Sequence, residues 1–224
     1  MIKYFDFESP IAKIDEAISK LENDKQNNRK KIDNLNDEKQ NLFKKIYSNL
    51  TPWQKVQISR HQDRPHTLYY ISNIFDKVVI LHGDKKFADD RAIIGGLAKI
   101  NGRSIIFIGS EKGNTMESRI NHNFGMAKPE GYRKAQRLIN LAEKFKLPVV
   151  TLVDTAGAFP GKDAEERGQS ESIASSILQF LKTQIPTISI IIGEGGSGGA
   201  IGIATSDRVL MLEHSIYSVI SPEG

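Results

Sequence analysis

The stretch that decides the fold is residues 187–204, TISIIIGEGGSGGAIGIA. Residues 187–192 have the composition of a buried strand, and the small residues from Gly198 onward suit a closely packed helix. Between them, five of the seven residues 193–199 are glycine. The pattern predicts a strand, a glycine loop and a helix N-terminus, whose bare N–H groups suit an anion or a developing oxyanion.

One interpretation of this loop is a dinucleotide site. Gly193, Gly195 and Gly198 fit G-x-G-x-x-G after a strand, and Asp207 and Glu213 follow at positions where an acid could hold a ribose. This predicts an NAD(P)-binding oxidoreductase. The fingerprint normally opens its domain, however, whereas a long α/β region precedes it here. A glycine-rich turn needed only for close helix-on-sheet packing is the plainer alternative.

Two further interpretations concern the end of the loop. Gly195-x-Ser197-x-Gly199 fits the nucleophile elbow of serine hydrolases, which place an acid and then a histidine after the serine. The acids and histidine that follow Ser197 are Asp207, Glu213, His214 and Glu223, a weak basis for a triad. The other interpretation gives Ser197 no chemistry and uses the backbone N–H groups of Gly198 and Gly199 as an oxyanion hole.

Composition limits the classes of protein. The 224 residues are 39% hydrophobic and 26% charged, enough for one sizeable core and a smaller appendage. The absence of cysteine excludes disulfides, thiolate zinc sites and cysteine nucleophiles, and agrees with a reducing cytoplasm. The five histidines lack metal-ligand spacing, and no apolar stretch approaches the ~18 residues of a membrane span. We therefore predict a soluble cytoplasmic protein with no metal site and no membrane association.

Charge is concentrated in one segment. The formal net charge is +4, but residues 100–146 hold nine Lys or Arg against four Asp or Glu. The basic residues that the prediction singles out are Arg103, Lys112, Arg119, Lys128, Arg133, Lys134 and Arg137. This excess suits an anionic ligand, although a solvated helix face is the commoner explanation of such a run.

Periodicity predicts two parts. Apolar residues at helical spacing over 11–21 and 32–50, with a polar break at 23–28, predict an amphipathic helical hairpin over residues 1–50. Short helices are predicted over 51–75, at the start of an α/β domain, 51–224. Its predicted strands are 78–81, 95–100, 104–108, 149–153, 188–192, 209–212 and 217–220, and its predicted helices are 131–145, 165–181 and 198–204.

A second candidate turn, DTAGAFPG at 154–161, follows the predicted strand 149–153. Ligands gather beyond the carboxyl ends of strands in α/β domains, and two strand ends here carry unusual loops. Asp154 is either a catalytic acid or a buried carboxylate that organises the loop by accepting backbone N–H bonds.

Motifs spread along nearly the whole chain resemble one family, the alpha subunits of the carboxyltransferase of bacterial-type acetyl-coenzyme A carboxylase. The motifs are FDFESPI (5–11), GDKKFADD (83–90), NFGM (123–126), PEGYRKA (129–135), DTAGAFPG (154–161), EERGQSE (165–171), GEGGSGG (193–199) and YSVISPEG (217–224). Each is weak alone, but their order is specific.

The resemblance implies a layered α/β fold of the crotonase (Clp/crotonase) type with an N-terminal helical hairpin. It implies transfer of a carboxyl group from carboxybiotin to acetyl-CoA, giving malonyl-CoA in the first committed step of fatty acid synthesis. The oxyanion hole for biotin is implied at Gly198 and Gly199. The implied substrate-binding residues are Gly195, Gly196, Ala156, Gly157, Ala158 and Phe159. Valine at Gly199 is then expected to fill the space of the biotin oxygen and abolish transfer while leaving assembly intact.

The resemblance also implies partners. Carboxybiotin is presented by a biotin carboxyl carrier protein and made by a biotin carboxylase, which uses ATP. A beta subunit holds the acetyl-CoA enolate and carries zinc, and an alpha2beta2 heterotetramer is expected. No cofactor is bound covalently to this chain, which is expected to be inactive alone. A non-enzymatic assembly scaffold built on the helical hairpin is the third class of function considered.

Several positions depart from the family pattern. Ala156 replaces proline, Phe159 replaces tyrosine, and Asn114, Asn121 and His122 stand where the family is more basic. Family members continue beyond SPEG, so the chain is expected to lack the C-terminal part of the domain.

Overall fold

The computed structural model describes residues 4–22 and 25–223, and the chain divides into two compact units, Met1–Gln54 and Lys55–Gly224. The described residues form nine α-helices and seven strands. The predicted domains 1–50 and 51–224 stay a prediction, because compactness alone does not define an independent domain.

The first unit contains the predicted pair of helices, α1 (Ser9–Leu21) and α2 (Lys25–Tyr47), which pack against each other. Pro10 lies in the first turn of α1, where its missing N–H costs no hydrogen bond. Lys39 pairs with Asp15 across the two helices. Asn23 and Asp24 of the predicted break lie outside the described residues, but the break does not extend to residue 28, because α2 already begins at Lys25.

The second unit is an α/β domain. Its helices are most of α3 (Pro52–Ser59), whose first three residues belong to the first unit, and α4 (Thr67–Ile74), α5 (Met116–Asn121), α6 (Pro129–Phe145), α7 (Lys162–Glu166), α8 (Gln169–Lys182) and α9 (Ser197–Ala204). Its strands are β1 (Lys77–Ile80), β2 (Ile93–Ile100), β3 (Arg103–Ser110), β4 (Val149–Thr155), β5 (Thr187–Gly196), β6 (Arg208–Met211) and β7 (Ile216–Ser218).

The seven strands form one sheet in the order β1-β2-β3-β4-β5-β6, with β7 paired to the end of β5. The β1–β2 and β2–β3 pairs are antiparallel, and the pairs from β3 to β6 are parallel. Since parallel neighbours need crossovers, helices connect β3 to β4, β4 to β5 and β5 to β6. The carboxyl ends of β4 and β5 therefore lie side by side.

Alternating side chains cover both faces of the sheet. Ile106 and Ile108 of β3 pack with α6, α8 and α9, whereas Ile105 and Phe107 face the side of α4. This alternation is the period-two pattern of a strand buried on both faces. The core thus holds α9, which contains the last two glycines of the glycine stretch, firmly against the sheet.

Two helical regions differ between the prediction and the structure. The helix predicted over 165–181 is interrupted at Gly168, whose φ of +78° ends α7 and starts α8. The short helix α5 was not predicted, because its six residues are too few to show periodicity. No helix within residues 4–22 and 25–223 is long and apolar enough to cross a membrane.

Candidate active site

The glycine stretch is mostly strand. β5 continues to Gly196 because β4 pairs with it on one side, Thr155 opposite Gly195, and β7 pairs with residues 194–196 on the other. The chain then turns at Ser197, whose φ is +51°, directly into α9. The predicted loop over 193–197 is therefore wrong, and a strand end meets a helix N-terminus without an intervening loop.

Close packing explains three of the glycines. A Cβ on Gly193 would lie 2.6 Å from the Asp154 carboxylate, and one on Gly196 would lie 2.2 Å from the carbonyl oxygen of Ala156. A Cβ on Gly195 would lie 2.9 Å from the ring of Tyr217. Close packing thus accounts for the missing side chains at these positions, although the neighbours lie at the ends of β4 and β7 and not on a helix.

The last two glycines differ from each other. A Cβ on Gly199 would lie 2.3 Å from the carbonyl carbon of Gly157 and 2.5 Å from the amide nitrogen of Ala158. A Cβ on Gly198 would meet nothing closer than Ile173, at 3.7 Å. A valine side chain at Gly199 would therefore strike the neighbouring backbone, so this variant is expected to disturb the fold, and its effect on biotin binding stays a prediction.

The second predicted turn lies against this glycine segment. The Thr155 hydroxyl donates to the Gly157 carbonyl at 2.8 Å and accepts from the Gly157 amide at 3.1 Å, which closes the turn. Ala156, Gly157 and Ala158 approach Gly196 and Gly199 through their backbones. The structure therefore brings these three predicted residues to the glycine segment.

Phe159 has other contacts. Its amide donates to the Ala127 carbonyl at 2.9 Å, and Lys128 Nζ lies 4.7 Å from the centre of its ring. Gln169 ties the same region together, since its side-chain amide donates to the carbonyls of Ala127 and Phe159. These contacts anchor the turn and leave the role of Phe159 in substrate binding a prediction.

Asp154 organises the carboxyl ends of β4 and β5. Its fully buried carboxylate accepts hydrogen bonds from Lys112 Nζ at 2.7 Å, His66 Nδ1 at 2.9 Å and the Glu194 amide at 3.0 Å. Burial by itself would raise the pKa of Asp154, but the charge of Lys112 and these hydrogen bonds outweigh it and lower the pKa. Of the two roles considered for Asp154, the organising role fits these contacts.

A second buried acid, Glu194, completes an ion-pair cluster with Asp154. Glu194 is 3% exposed and accepts from Arg60 Nε at 2.9 Å and Nη2 at 2.7 Å, while Lys112 Nζ lies 3.6 Å away. The sequence interpretation did not connect these residues. The sequence pattern singles out Asp154, as a possible organising carboxylate, and Lys112, as part of the basic excess, but it gives no signal for Arg60 or His66.

Most of the basic excess is structural. Lys134 is buried and donates to the carbonyls of Asp90 and Ile93, at 2.7 and 2.8 Å. Arg137 donates to the Gly83 carbonyl at 2.9 Å, and Arg133 to the Arg167 carbonyl at 2.6 Å. These three cations are held in place by carbonyl oxygens of the fold, and an anionic ligand for the segment stays a prediction.

Two cavities lie next to the glycine segment. The larger, of about 260 Å³, is lined by residues that include His66, Lys112, Arg119, Phe124, Ala156 and Glu194. The smaller, of about 180 Å³, is lined in part by Gly195, Gly196 and Ser197. Ala156 and Glu194 line both cavities, which therefore adjoin each other.

The hydrolase and dinucleotide interpretations find little support here. A His66–Asp154 pair exists, but among the described residues no hydrogen bond joins His66 to Ser197. Asp207 accepts from the Thr187 amide at 2.8 Å, at the opposite end of β5 from the glycines. Glu213 has a side chain that is 88% exposed.

The chain is similar to one family of proteins along nearly its whole length. Residues 4–224 match a family model described as acetyl co-enzyme A carboxylase carboxyltransferase-like. An acetyl-coenzyme A carboxylase carboxyl transferase subunit alpha of Rhodospirillum centenum is 57% identical over 99% of this chain and 71% of its own length. The subunit of that name from Zymomonas mobilis is 54% identical over 100% of this chain and 72% of its own length.

Solved structures agree at the level of the fold. A transcarboxylase 12S structure is similar over 74% of this chain and 31% of its own, with a TM-score of 0.60 and 20% identity. The beta subunit of Pseudomonas aeruginosa geranyl-CoA carboxylase is similar over 67% of this chain and 27% of its own, with a TM-score of 0.55 and 21% identity.

The expected crotonase-like fold is confirmed by these neighbours, whereas no protein named here supports the oxidoreductase alternative. The match covers seven-tenths of the curated relatives and nearly all of this chain. The chain belongs to the family of acetyl-coenzyme A carboxylase carboxyl transferase alpha subunits.

Proposed function

We propose that this chain is the alpha half of a split carboxyl transferase, which moves a carboxyl group from carboxybiotin to acetyl-CoA and so forms malonyl-CoA. Family membership supports the reaction class. The main structural support for the site is the uncapped N-terminus of α9. Its cap residue, Gly196, has no side chain to satisfy the first N–H groups, and Ser197 is exposed there.

The backbone N–H groups of Gly198 and Gly199 are the catalytic donors in this proposal. The ureido oxygen of biotin gains negative charge as the carboxyl group leaves, and the positive end of a helix dipole stabilises such charge. Gly198 is half-exposed, and a Cβ on it would meet only Ile173. A ligand oxygen can therefore approach the Gly198 amide.

Packing behind the amides keeps them in place. A Cβ on Gly202 would lie 2.8 Å from the Tyr132 ring, so the ring packs directly on α9. The Tyr132 hydroxyl donates to the Gly199 carbonyl at 3.5 Å. Gly199 also abuts the backbone of residues 157–158. Donors fixed before the reaction cost no reorganisation when charge develops, which is what an oxyanion hole requires.

The surroundings fit a biotin ureido ring. Gly157 is half-exposed and a Cβ on it would meet nothing within 4 Å, so the backbone there is open to a ligand. Ala156, Gly157 and Ala158 would line one side of the ring, and Gly195 and Gly196 would shape its approach. Carboxybiotin supplies the transferable carboxyl group when it is bound, and the chain's own residues bind and orient it.

The division of labour among subunits is part of the proposal. A beta subunit that carries zinc would hold the acetyl-CoA enolate, and the carrier protein and biotin carboxylase would supply carboxybiotin. An alpha2beta2 heterotetramer in the cytoplasm is the assembly we infer. These 224 residues contain no cysteine, and in this proposal the thiolate ligands for zinc belong to the beta subunit.

The test mixes this chain with the beta subunit of the same organism and follows malonyl-CoA-dependent carboxylation of free biotin. Activity in the mixture and none in either chain alone is expected. Equal activity in one chain alone, or none in a mixture shown by gel filtration to have assembled, would refute the split-site proposal.

Two variants of Gly198 distinguish the effect of losing the amide hydrogen from the effect of adding a side chain. Gly198→Pro removes the N–H in the first turn of α9, whereas Gly198→Ala keeps the N–H and adds a methyl group where there is room. Loss of one oxyanion donor costs about 10²–10³ in kcat. We expect Gly198→Pro to fall below Gly198→Ala by that factor, with complex assembly and Tm measured for both. Equal kcat values would remove Gly198 from the oxyanion hole.

A further inference from the structure

A left-handed turn lies between α5 and α6. Asn123, Phe124 and Gly125 have φ values of +46°, +54° and +80°. The Gly125 amide donates to the His122 carbonyl and the Met126 amide to the Asn123 carbonyl, both at 2.9 Å, so two hydrogen bonds close the turn. Successive left-handed residues are unusual in a chain of L-amino acids, because the Cβ atom of each comes too close to the following carbonyl oxygen.

Phenylalanine is the unexpected residue in this turn. Asparagine and glycine adopt left-handed backbone readily, whereas a bulky side chain there is an outlier. Burial does not account for Phe124, since it is 46% exposed. Within residues 4–22 and 25–223, no aromatic stacking or cation–π contact includes its ring. The fold gains little from this side chain, and backbone strain of this kind is characteristic of functional sites.

The backbone of the turn is held on both sides. A Cβ on Gly125 would lie 2.7 Å from Lys112 Cγ and 3.1 Å from the Asp154 carbonyl oxygen, so the turn packs directly on the buried ion-pair cluster. On the other side, the Asn123 side-chain amide donates to Asp90 Oδ1 at 3.4 Å. A strained conformation persists only where its surroundings fix it in this way.

Phe124 lies beside the proposed active site. It lines the cavity of about 260 Å³, and Ala156 lines that cavity as well. Ala156 also lines the smaller cavity, and its carbonyl oxygen is 2.2 Å from the position of a Cβ on Gly196, the cap residue of α9. Phe124 is therefore separated by a single cavity from the segment that holds the proposed oxyanion donors.

The larger cavity offers an apolar surface to a small ligand. Two of its cations, Arg60 and Lys112, are paired with the acids of the ion-pair cluster. Phe124 and Ala156, both exposed, contribute apolar surface. The volume is slightly below the roughly 300–1,000 Å³ of pockets for drug-sized ligands, which suits a small bicyclic head group.

We infer that Phe124 is a positioning residue for biotin, with its ring packed against the apolar tetrahydrothiophene ring of that substrate. The inference rests on the proposed function and deepens it. Contact with the apolar ring orients the ureido oxygen toward the proposed donors at Gly198 and Gly199. Because the strained turn fixes the backbone of Phe124 before biotin arrives, little conformational freedom is lost on binding.

Kinetics of the assembled enzyme test this role. Phe124→Asn keeps a residue that tolerates left-handed backbone but removes the apolar ring, so kcat/KM for free biotin should fall about tenfold while KM for malonyl-CoA stays within about twofold. Phe124→Leu returns apolar surface and should recover part of the loss. Phe145→Asn is the matched control, because Phe145 is 59% exposed at the end of α6 and lines neither cavity.

Thermal unfolding distinguishes a positioning role from a structural one. Asparagine relieves the strain, and a half-exposed ring contributes little to the core, so the Tm of Phe124→Asn should equal or exceed that of the wild type. A structural role predicts a fall in Tm together with weaker assembly in gel filtration. Such a fall would count against the inference.

Two ligands locate the contact on the biotin molecule. 2-Imidazolidone contains the ureido ring alone, whereas biotin methyl ester contains the bicyclic ring and the alkyl chain. Saturation-transfer NMR on the assembled enzyme gives the dissociation constant of each. In Phe124→Asn that of the methyl ester should rise about tenfold and that of 2-imidazolidone less than about twofold. Equal rises would indicate a distorted ureido site and would overturn the inference.

The kinetic outcomes also distinguish this inference from the proposed function. Wild-type transfer with unchanged kcat/KM for biotin in Phe124→Asn would overturn the inference and leave the proposed function standing. A rise in KM for malonyl-CoA in place of the effect on biotin would overturn it too, since the ring would then contact the acyl-CoA. Absence of transfer by the assembled wild type would refute the proposed function, and the inference with it.

Discussion

Replacing Asp154 by Asn tests the buried cluster most directly. The substitution keeps size and most hydrogen-bonding atoms but removes the charge that faces Lys112 Nζ at 2.7 Å and His66 Nδ1 at 2.9 Å. Asp154 is fully buried, so no solvent can replace the lost charge. Lys112 would be left with Glu194 at 3.6 Å as its acidic neighbour.

The expected magnitude follows from that geometry. Removal of one partner of a buried ion pair costs about 3–5 kcal/mol, and the remaining contact to Glu194 favours the lower end, about 3 kcal/mol. For a domain of 150–250 residues this corresponds to a fall in Tm of roughly 6–12 °C. Asp207→Asn is the matched control, because Asp207 is exposed and its bonds to Thr187 can be kept by an amide.

The assay is thermal and urea unfolding at several pH values, with hydrogen exchange of β4 and β5 as the local readout. The pKa of Asp154 is lowered on folding, so its carboxylate stabilises the fold above its ordinary pKa of 3.8. That stabilisation is lost as the pH falls through the folded-state pKa. The difference between wild type and Asp154→Asn should therefore be complete at neutral pH and shrink in acid. A difference below about 1 kcal/mol at pH 7, no larger than a typical surface substitution, would refute the reasoning.

Two further predictions concern stability. Gly199→Ala should cost about 1–3 kcal/mol, because its Cβ would lie 2.3 Å from the Gly157 backbone, whereas Gly198→Ala should cost less than about 0.5 kcal/mol. Their urea midpoints measure this, and equal midpoints would contradict the contrast. Burial would raise the pKa of Asp89, but hydrogen bonds from Lys134 and the Gly83 amide outweigh it and lower the pKa to about 2. Asp89→Asn should therefore lower Tm at pH 6 and converge with wild type as the pH falls from 3.8 toward 2, and a gap that is constant with pH would oppose this.

Local pattern predicted the secondary structure of the domain well. The strand predicted over 149–153 is β4, Val149–Thr155, and the helix predicted over 131–145 is α6, Pro129–Phe145. Apolar periodicity and flanking breakers carry this information within a few residues. The error at the glycine segment lies where long-range pairing decides, since β4 and β7 extend β5 through the glycines to Gly196.

The glycine segment shows the limit of sequence interpretation at the site. Its composition marks a place where backbone comes close to something, but it does not say to what. In the structure Gly193 packs against Asp154, Gly196 against Ala156 and Gly199 against the backbone of residues 157–158, whereas Gly198 has open space beside it. A Cβ has different neighbours at each position, and those neighbours come from other parts of the chain.

The sequence by itself determined the family, the layered α/β class and the order of the elements, because these depend on local periodicity and on motifs in a given order. Tertiary structure alone decided the charged cluster beside the glycines. His66 and Asp154 are 88 positions apart, and Asp154 and Glu194 are 40 apart. Asp154 and Glu194 meet because parallel strands bring their carboxyl ends to one edge of the sheet, and the start of α4 places His66 beside Asp154. Packing on both faces of the sheet then buries these groups together.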